Sequence, residues 1–239
     1  MQGTSGAPLH TARAFAWGGS LLFLVSLSYF LYAYAVSFGE IAVDDRGAGR
    51  STIVNVLLFT GFALHHSVFA RERVRRQVAH VVPPALERSV YVWLASALFI
   101  VVCALWQPLP GIAWSAEGPL RWGFVALQAA AIWLIARSAA MLDVLELSGV
   151  RQVMATPRDV HFKTSGPYGW IRHPIYAGWF LFVFCAPLMT MTRLLFAVVS
   201  SAYLLIAIPF EERSLRASGG EAYRRYVQQV RWKLVPRIY

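Results

Sequence analysis

The sequence predicts an all-α, polytopic integral membrane protein with about six transmembrane helices and a cytoplasmic C-terminal amphipathic helix. Two observations predict this class: 57% of the 239 residues are hydrophobic and only 14% are charged, and the apolar residues occur in long blocks. Soluble globular domains carry about 25% charged residues, whereas a transmembrane helix needs about 20 predominantly apolar residues. A water-soluble doubly wound fold, a disordered tail and a secreted disulfide scaffold are therefore excluded.

Six apolar blocks define the predicted spans. They cover residues 14–38, 52–69, 89–106, 120–142, 174–191 and 194–210. A brief turn at residues 190–193 joins the last two blocks into a predicted helical hairpin. No secretory signal is predicted, because the first block is too long and no small-residue cleavage site follows it.

The distribution of positive charge predicts the orientation of these spans. With the N-terminus inside, all but four of the 22 lysines and arginines fall in inner segments. The four exceptions are Arg46, Arg50, Arg121 and Arg193. Because cytoplasmic segments of membrane proteins carry the excess of Lys and Arg, both termini are predicted to be cytoplasmic. The basic surplus is then an orientation signal and a surface for anionic lipid headgroups, and no nucleic-acid partner is expected.

The residues after Gly219-Gly220 predict an amphipathic helix. Apolar residues recur there at the spacing of one helix face, and they are Tyr223, Tyr226, Val227 and Val230. We expect such a helix to lie on the membrane surface. The two cysteines, Cys103 and Cys185, lie in apolar blocks without a metal-ligand spacing, and no metal site is expected.

Polar residues of the kinds used in catalysis flank the predicted hairpin. Arg172, His173 and Tyr176 stand where its first helix begins, and Glu211 and Glu212 stand where its second helix ends. Because the two helices form a hairpin, these residues are expected to meet at one membrane boundary and to suit a cationic organic cofactor. The alternative is structural: the cations are positive-inside flanks, and the glutamates form a solvated helix end.

The same region resembles the C-terminal signature of the isoprenylcysteine carboxyl methyltransferase and phospholipid methyltransferase superfamily. The matching residues are Gly166-Pro167-Tyr168, Arg172-His173-Pro174, Tyr176, Glu211-Glu212, Leu215, Tyr223, Tyr226 and Pro236. Upstream, His65-His66-Ser67, Glu87 to Tyr91 and Gly149 to Gln152 resemble bacterial methanethiol S-methyltransferases. Denitrification-associated membrane proteins share some of the N-terminal pattern.

The resemblance implies a single membrane-embedded methyltransferase domain over residues 1–239, with its cofactor-binding signature at residues 143–239, in a bacterial inner membrane. The cofactor implied is S-adenosylmethionine, bound without a Rossmann fingerprint. The residues implied to hold it are Gly166, Tyr168, His173, Pro174, Tyr176, Glu211, Glu212 and Tyr223. The implied catalytic residues are Arg172, His173 and Glu211. Candidates to stabilise a thiolate are Arg172, Arg151, His65 and His66, and Arg172 ranks first because it adjoins the cofactor motif.

The substrate implied is a small lipophilic thiol, methanethiol, which would become dimethyl sulfide. Its candidate contacts are His65, His66, Arg151 and Gln152. For the histidines, an interfacial role is the alternative. Two other functions remain open at this stage: methylation of a lipid-borne carboxylate or amine, and a non-enzymatic role of the denitrification-associated type.

Overall fold

The computed structural model describes residues 7–42, 46–69, 74, 77–78, 80–142, 144–154 and 164–239. Helices make up most of this part of the chain. The α-helices are α1 Ala7–Ala35, α2 Ala48–Phe69, α3 Pro84–Leu105, α4 Gly118–Ala139, α5 Val144–Leu147, α6 Val150–Val153, α7 Pro174–Phe184 and α8 Met191–Gln229. Two short strands, β1 Ile112–Ser115 and β2 Leu188–Thr190, pair in antiparallel orientation.

Within the described ranges, five helices, α1, α2, α3, α4 and α8, are long and apolar enough to cross a membrane. Each contains an 18-residue stretch in which at most two residues are charged and most side chains are not buried by the protein. Side chains left uncovered by protein in such a helix are the ones that face lipid. The chain is therefore an all-α, polytopic integral membrane protein, as the sequence predicts.

The fifth predicted span differs from expectation. The block 174–191 forms α7, which has only 11 residues, and then the strand β2. A helix of 11 residues is about 16 Å long, about half the thickness of the hydrocarbon core. Pro187 accounts for the break, because it has no backbone N–H and disfavours a helical residue before it.

The chain divides into two compact units. The first, unit 1, contains the described parts of residues 1–37, 54–106 and 143–157. In it α1 and α3 approach closely, because Gly18 and Gly19 leave room for the indole of Trp93. A Cβ atom at Gly18 would lie 2.8 Å from this ring, and the indole N–H donates to the carbonyl of Phe15 at 2.9 Å. A tilted pair of rings, Phe30 and Phe99, adds aromatic packing between the same helices.

The segment of α5 and α6 is attached to the first turns of α3 in unit 1. The hydroxyl of Ser89 donates to the carbonyl of Gly149 at 3.2 Å, and Nε of Arg88 donates to the carbonyl of Leu147 at 3.0 Å. Gly149 has a φ of 86° and precedes α6. A Cβ atom there would lie 2.7 Å from the backbone nitrogen of Ser89. Glycine is therefore required at this position both by conformation and by space.

Gly149→Ala is expected to destabilise the protein, because the new methyl group meets backbone that cannot move aside and φ is left-handed. The expected loss is about 1–3 kcal/mol, read as a lower thermal unfolding midpoint in mild detergent by circular dichroism. Gly123→Ala in α4 is the matched control, since no described atom beyond the adjacent residues and the backbone of its own helix lies within 4 Å of its Cβ position and alanine favours a helix. An unchanged midpoint for Gly149→Ala would contradict this interpretation.

The second unit, unit 2, contains the described parts of residues 38–53, 107–142 and 158–239. Its helices α4 and α7 approach at Gly178, where a Cβ atom would lie 2.6 Å from the side chain of Ile135. Thr190 caps α8, its hydroxyl accepting the backbone N–H of Arg193 at 3.2 Å. The guanidinium of Arg193 is buried and donates to the carbonyl of Leu188. An arginine predicted as an outer flank thus belongs to the packing of unit 2.

The predicted C-terminal amphipathic helix is the last part of α8. The helix is kinked at Gly220, which has a φ of 51° and a ψ of −128°. Beyond the kink the predicted apolar face is confirmed, because Tyr223, Tyr226 and Val230 form a buried cluster. Val227 packs against that cluster. This face is covered by protein, so only the opposite face of the helix is free to contact a membrane surface.

Candidate active site at the junction of α7 and α8

The loop before α7 positions the candidate site. Residues Gly166–Gly169 form a 3₁₀ turn, in which Gly166 has a φ of 56° and lies against the sulfur of Met141. Pro174 begins α7, a position where its missing N–H costs nothing and its fixed φ suits the helix. The turn and this proline together hold Arg172 and His173 at the mouth of α7, both buried.

A buried ion pair joins this loop to α8. Nε of Arg172 donates to Oε1 of Glu212 at 2.7 Å, and the two side chains are 5% and 3% exposed. The second oxygen of this carboxylate lies 3.3 Å from the guanidinium of Arg216. Nε2 of His173 lies 3.4 Å from Oε1. A buried charge pair is stable only when its remaining hydrogen-bonding groups are satisfied, and here both partners have further contacts.

Arg172 also binds the segment that follows α8. Its Nη1 donates to the carbonyls of Val230 and Arg231 at 2.8 and 2.7 Å. Its backbone N–H donates to the carbonyl of Trp232, and that of His173 donates to the carbonyl of Lys233, both at 2.9 Å. Residues 230–233, here named the tail segment, are thus fixed along the loop that carries Arg172 and His173.

Glu211 lies at the open side of the same site. Its side chain is 43% exposed, and Oε2 accepts the hydroxyl of Tyr176 at 2.8 Å. Nδ1 of His173 lies 3.8 Å from this oxygen. The rings of His173 and Tyr176 stack, with centroids 5.4 Å apart and planes inclined by 14°. A carboxylate and two aromatic faces are thus available together, a combination that attracts an organic cation.

Tyrosines complete the site. The hydroxyl of Tyr226 donates to the carbonyl of Tyr168 at 2.9 Å, and Tyr223 is fully buried. Burial raises the pKa of Tyr168 to about 12, and the charge of Glu211 acts in the same direction. Burial also lowers the pKa of His173, although Glu211 and Glu212 oppose the change. At neutral pH the site therefore contains a neutral phenol and a neutral imidazole beside its carboxylates.

Comparison with known proteins identifies the family. The model of the isoprenylcysteine carboxyl methyltransferase family matches residues 125–217, which include Arg172, Glu211 and Glu212. A methanethiol S-methyltransferase of Mycobacterium tuberculosis is 37% identical over 227 residues, 88% of this chain and 90% of the relative. The chain belongs to the isoprenylcysteine carboxyl methyltransferase family. It is an integral membrane methyltransferase, as predicted, and its function requires a methyl donor.

Other members and relatives of this methyltransferase family match as well. Methanethiol S-methyltransferase 2 of Bradyrhizobium diazoefficiens is 35% identical over 226 residues, 91% of this chain and 86% of the relative. Nurim of Xenopus laevis is 32% identical over 189 residues, 70% of this chain and 65% of that protein. No solved structure matches the chain.

The residues predicted to hold the methyl donor lie together in unit 2 of this methyltransferase. Contacts at this site include Tyr176 with Glu211, His173 with both glutamates and Tyr226 with the loop at Tyr168. Arg216 and the carbonyls of the tail segment were not predicted. The i, i+4 spacing from Glu212 to Arg216 was a usable signal, whereas backbone carbonyls leave none in a sequence.

The four predicted substrate residues lie in unit 1. His65 and His66, near the end of α2, both contact Tyr91 of α3. Gln152 of α6 donates to the carbonyl of Glu146 at 3.3 Å. Tyr91 belongs to a segment that the resemblance includes, but the sequence assigned it no role. Across the described parts of this methyltransferase, no three His, Cys, Asp or Glu side chains form a group that could hold a metal ion.

Proposed function

We propose that this methyltransferase transfers the methyl group of S-adenosylmethionine to the thiol of methanethiol, giving dimethyl sulfide. The observation that carries the proposal is the similarity to methanethiol S-methyltransferases along most of both chains. A small lipophilic thiol can reach a membrane enzyme through the bilayer, and its product is a neutral sulfide. Methylation of a lipid-borne carboxylate or amine is the second candidate, favoured by the family to which the chain belongs.

The residues at the junction of α7 and α8 fit S-adenosylmethionine. This donor supplies a methyl group on a positively charged sulfur. Glu211 offers a partly exposed carboxylate for an ammonium group or ribose hydroxyls, and the stacked rings of His173 and Tyr176 offer aromatic faces. Gly166, Tyr168 and Pro174 shape the loop beside them, with Tyr223 buried behind. The proposal is supported by the acidic and aromatic character of this set.

The two glutamates are proposed to have different roles. Glu212 is buried, and both of its oxygens are engaged by side chains of the protein. Glu211 is half exposed, and in the described part of the chain Tyr176 and His173 both contact its Oε2 atom. We therefore assign cofactor binding to Glu211 and the support of the loop to Glu212.

Arg172 is proposed to act as a positioning residue. Its guanidinium donates to Glu212 and to the tail segment, and these contacts hold the wall of the donor site in place. Direct stabilisation of a thiolate by Arg172 stays a prediction, as do the catalytic roles of His173 and Glu211. For the other unit, we propose that His65, His66, Arg151 and Gln152 serve the acceptor.

We further propose that the protein is a single methyltransferase domain that resides in a bacterial inner membrane with both termini in the cytoplasm. The support is the excess of Lys and Arg in the segments assigned to the inner side. In this orientation the site at the junction of α7 and α8 faces the compartment in which S-adenosylmethionine is made.

The test is an assay of the purified protein with methyl-labelled S-adenosylmethionine and methanethiol, with headspace dimethyl sulfide measured by gas chromatography. We expect labelled product that requires protein, donor and thiol together. Donor binding is measured separately by calorimetry. If the protein binds the donor and methylates a lipid extract but forms no product from any thiol, the second candidate function is supported instead. Absence of both binding and product would contradict the proposal.

A further inference from the structure

The end of α2 and the first turns of α3 form an aromatic and histidine cluster in unit 1. The hydroxyl oxygen of Tyr91 lies 2.6 Å from Nδ1 of His66. The ring of His65 stacks on the ring of Tyr91, with centroids 6.0 Å apart and planes inclined by 14°. The guanidinium carbon of Arg88 lies 4.9 Å from the centre of the Tyr91 ring. Polar and ionisable groups within membrane spans are costly and serve function in most cases.

The chain fixes each member of this cluster. Arg88 and Tyr91 are three residues apart in α3 and therefore lie on one face of the helix. The Nε–H of Arg88 donates to the carbonyl of Leu147 at 3.0 Å, so its guanidinium is held in place. His65 also packs on Phe69, with ring centroids 4.5 Å apart. These contacts fix the positions of the rings relative to one another.

His65 and His66 differ in their hydrogen bonds. His66 is exposed and is paired through Nδ1 with Tyr91. The two ring nitrogens of His65 are buried, and neither has a hydrogen-bond partner among the described residues. A buried imidazole N–H without an acceptor is unfavourable. A thiolate sulfur or a hydroxyl bound beside Tyr91 would supply that acceptor.

We propose that Tyr91, His66 and His65 form the site that activates the acceptor thiol, with Tyr91 and His66 as a proton relay. This proposal rests on the proposed function, because a thiol acceptor must lose its proton to become the thiolate nucleophile. The S–H bond of the thiol breaks, its electron pair stays on sulfur, and the proton moves to the phenolic oxygen of Tyr91. The proton of that phenol moves to Nδ1 of His66. His65 donates a hydrogen bond to the sulfur.

The chemistry of methyl transfer to sulfur requires such a group. The thiolate is the nucleophilic form of a thiol, and a small alkyl thiol is almost wholly protonated at neutral pH. The negative charge on sulfur is removed when sulfur forms its bond to the methyl carbon and the carbon's bond to the positively charged sulfur of the donor breaks. The proton left on His66 is then released to water, which restores the relay.

The charged and titratable groups that act on the relay are Arg88 of α3 and His65 of α2. Arg88 favours the forms of the relay in which Tyr91 or the bound sulfur carries negative charge, because its guanidinium faces the ring. Arg88 and His65 oppose a positive charge on His66, so the relay requires that the proton on His66 pass quickly to water. Arg71, Arg73, Arg75 and Arg76 follow α2 in the sequence and lie outside the described residues.

The experiment compares Tyr91→Phe with wild type in the dimethyl sulfide assay across a range of pH. Tyr91→Phe keeps the ring under Arg88 and removes the hydroxyl. We expect kcat/KM for the thiol at neutral pH to fall by about 10²–10⁴-fold, the usual contribution of general acid–base catalysis. We also expect the deficit to shrink about tenfold per pH unit as the thiol ionises by itself. Tyr32→Phe in α1, whose side chain is 57% exposed, is the matched control.

A second variant covers the possibility that loss of the hydroxyl disturbs folding. His66→Asn keeps an acceptor for the hydroxyl of Tyr91 but no group that can take its proton. It is expected to show the same deficit and the same recovery at high pH, with donor affinity and thermal midpoint equal to those of wild type. A merely structural hydrogen bond would not produce the recovery at high pH.

The outcomes separate this inference from the proposed function. Active wild type with an equally active Tyr91→Phe at every pH would overturn the relay and leave the function standing. A loss that does not recover at high pH, in a folded variant that binds the donor, would also overturn the relay. Wild type that binds the donor but makes no dimethyl sulfide would overturn both.

Discussion

Replacing Arg172 by Met is expected to lower the stability of the folded protein by about 3–5 kcal/mol, the usual cost of removing one partner of a buried ion pair. The change leaves the carboxylate of Glu212 buried with weaker partners, and it also deprives the carbonyls of Val230 and Arg231 of their donor. For a chain of this size the expected shift is about 6–20 °C in the unfolding midpoint, measured in mild detergent by circular dichroism.

Arg216→Gln is the control for this change. Arg216 contacts the other oxygen of the same carboxylate, but its side chain is 53% exposed, so its loss is expected to cost at most about 1 kcal/mol. The double variant Arg172→Met with Glu212→Leu is expected to recover part of the stability, because no unpaired charge remains. Equal effects of Arg172→Met and Arg216→Gln would show that the buried ion pair between Arg172 and Glu212 does not stabilise the junction of the loop with α8.

Replacing Glu211 by Gln is expected to weaken binding of S-adenosylmethionine by about tenfold to a hundredfold while leaving the fold intact. A hydrogen bond to a charged group contributes about 1.5–3 kcal/mol, and the variant removes the charge while keeping the shape. The side chain is 43% exposed, so the folded state depends little on it. The affinity is measured by calorimetry with the donor alone, and the unfolding midpoint is measured on the same samples.

Substitutions of two further glutamates serve as comparisons for this result. Glu221→Gln removes a carboxylate that is 66% exposed and forms a surface contact with Arg224, and we expect it to change neither affinity nor stability. Glu212→Gln is expected to lower the unfolding midpoint, because it leaves Arg172 without its charged partner. If Glu211→Gln binds the donor as tightly as wild type, the division of roles between the two glutamates is wrong.

The long helices were predictable from the sequence, because burial in lipid demands continuous apolar runs. Five of the six predicted blocks correspond to helices of spanning length. The fifth block, residues 174–191, was predicted wrongly as a span because composition alone does not reveal where a helix stops. Pro187 was a visible breaker, but the pairing of β2 with β1 joins residues more than 70 positions apart, and strand pairing over that distance has no local signal.

The candidate donor residues were also predictable, since Arg172, His173, Tyr176 and the two glutamates stand out among apolar neighbours. The contacts that each of these side chains makes were not predictable. Whether Glu211 or Glu212 points inward depends on the rotation of α8 against the loop, which packing decides. The buried position of Arg193 was missed for a related reason: charge counting treats an arginine beside a turn as exposed, whereas in the folded chain the carbonyl of Leu188 accepts a hydrogen bond from it.

The hydrogen bonds from Arg172 and His173 to the tail segment have a consequence for biosynthesis. Proteins are made from the N-terminus, so α7 and most of α8 reach the membrane while residues 230–233 are still inside the ribosome. During that interval Arg172 has Glu212 as a partner but lacks its carbonyl acceptors. The contacts of Arg172 and His173 with the tail segment therefore form only after those four residues have emerged, and the proposed donor site is incomplete until then.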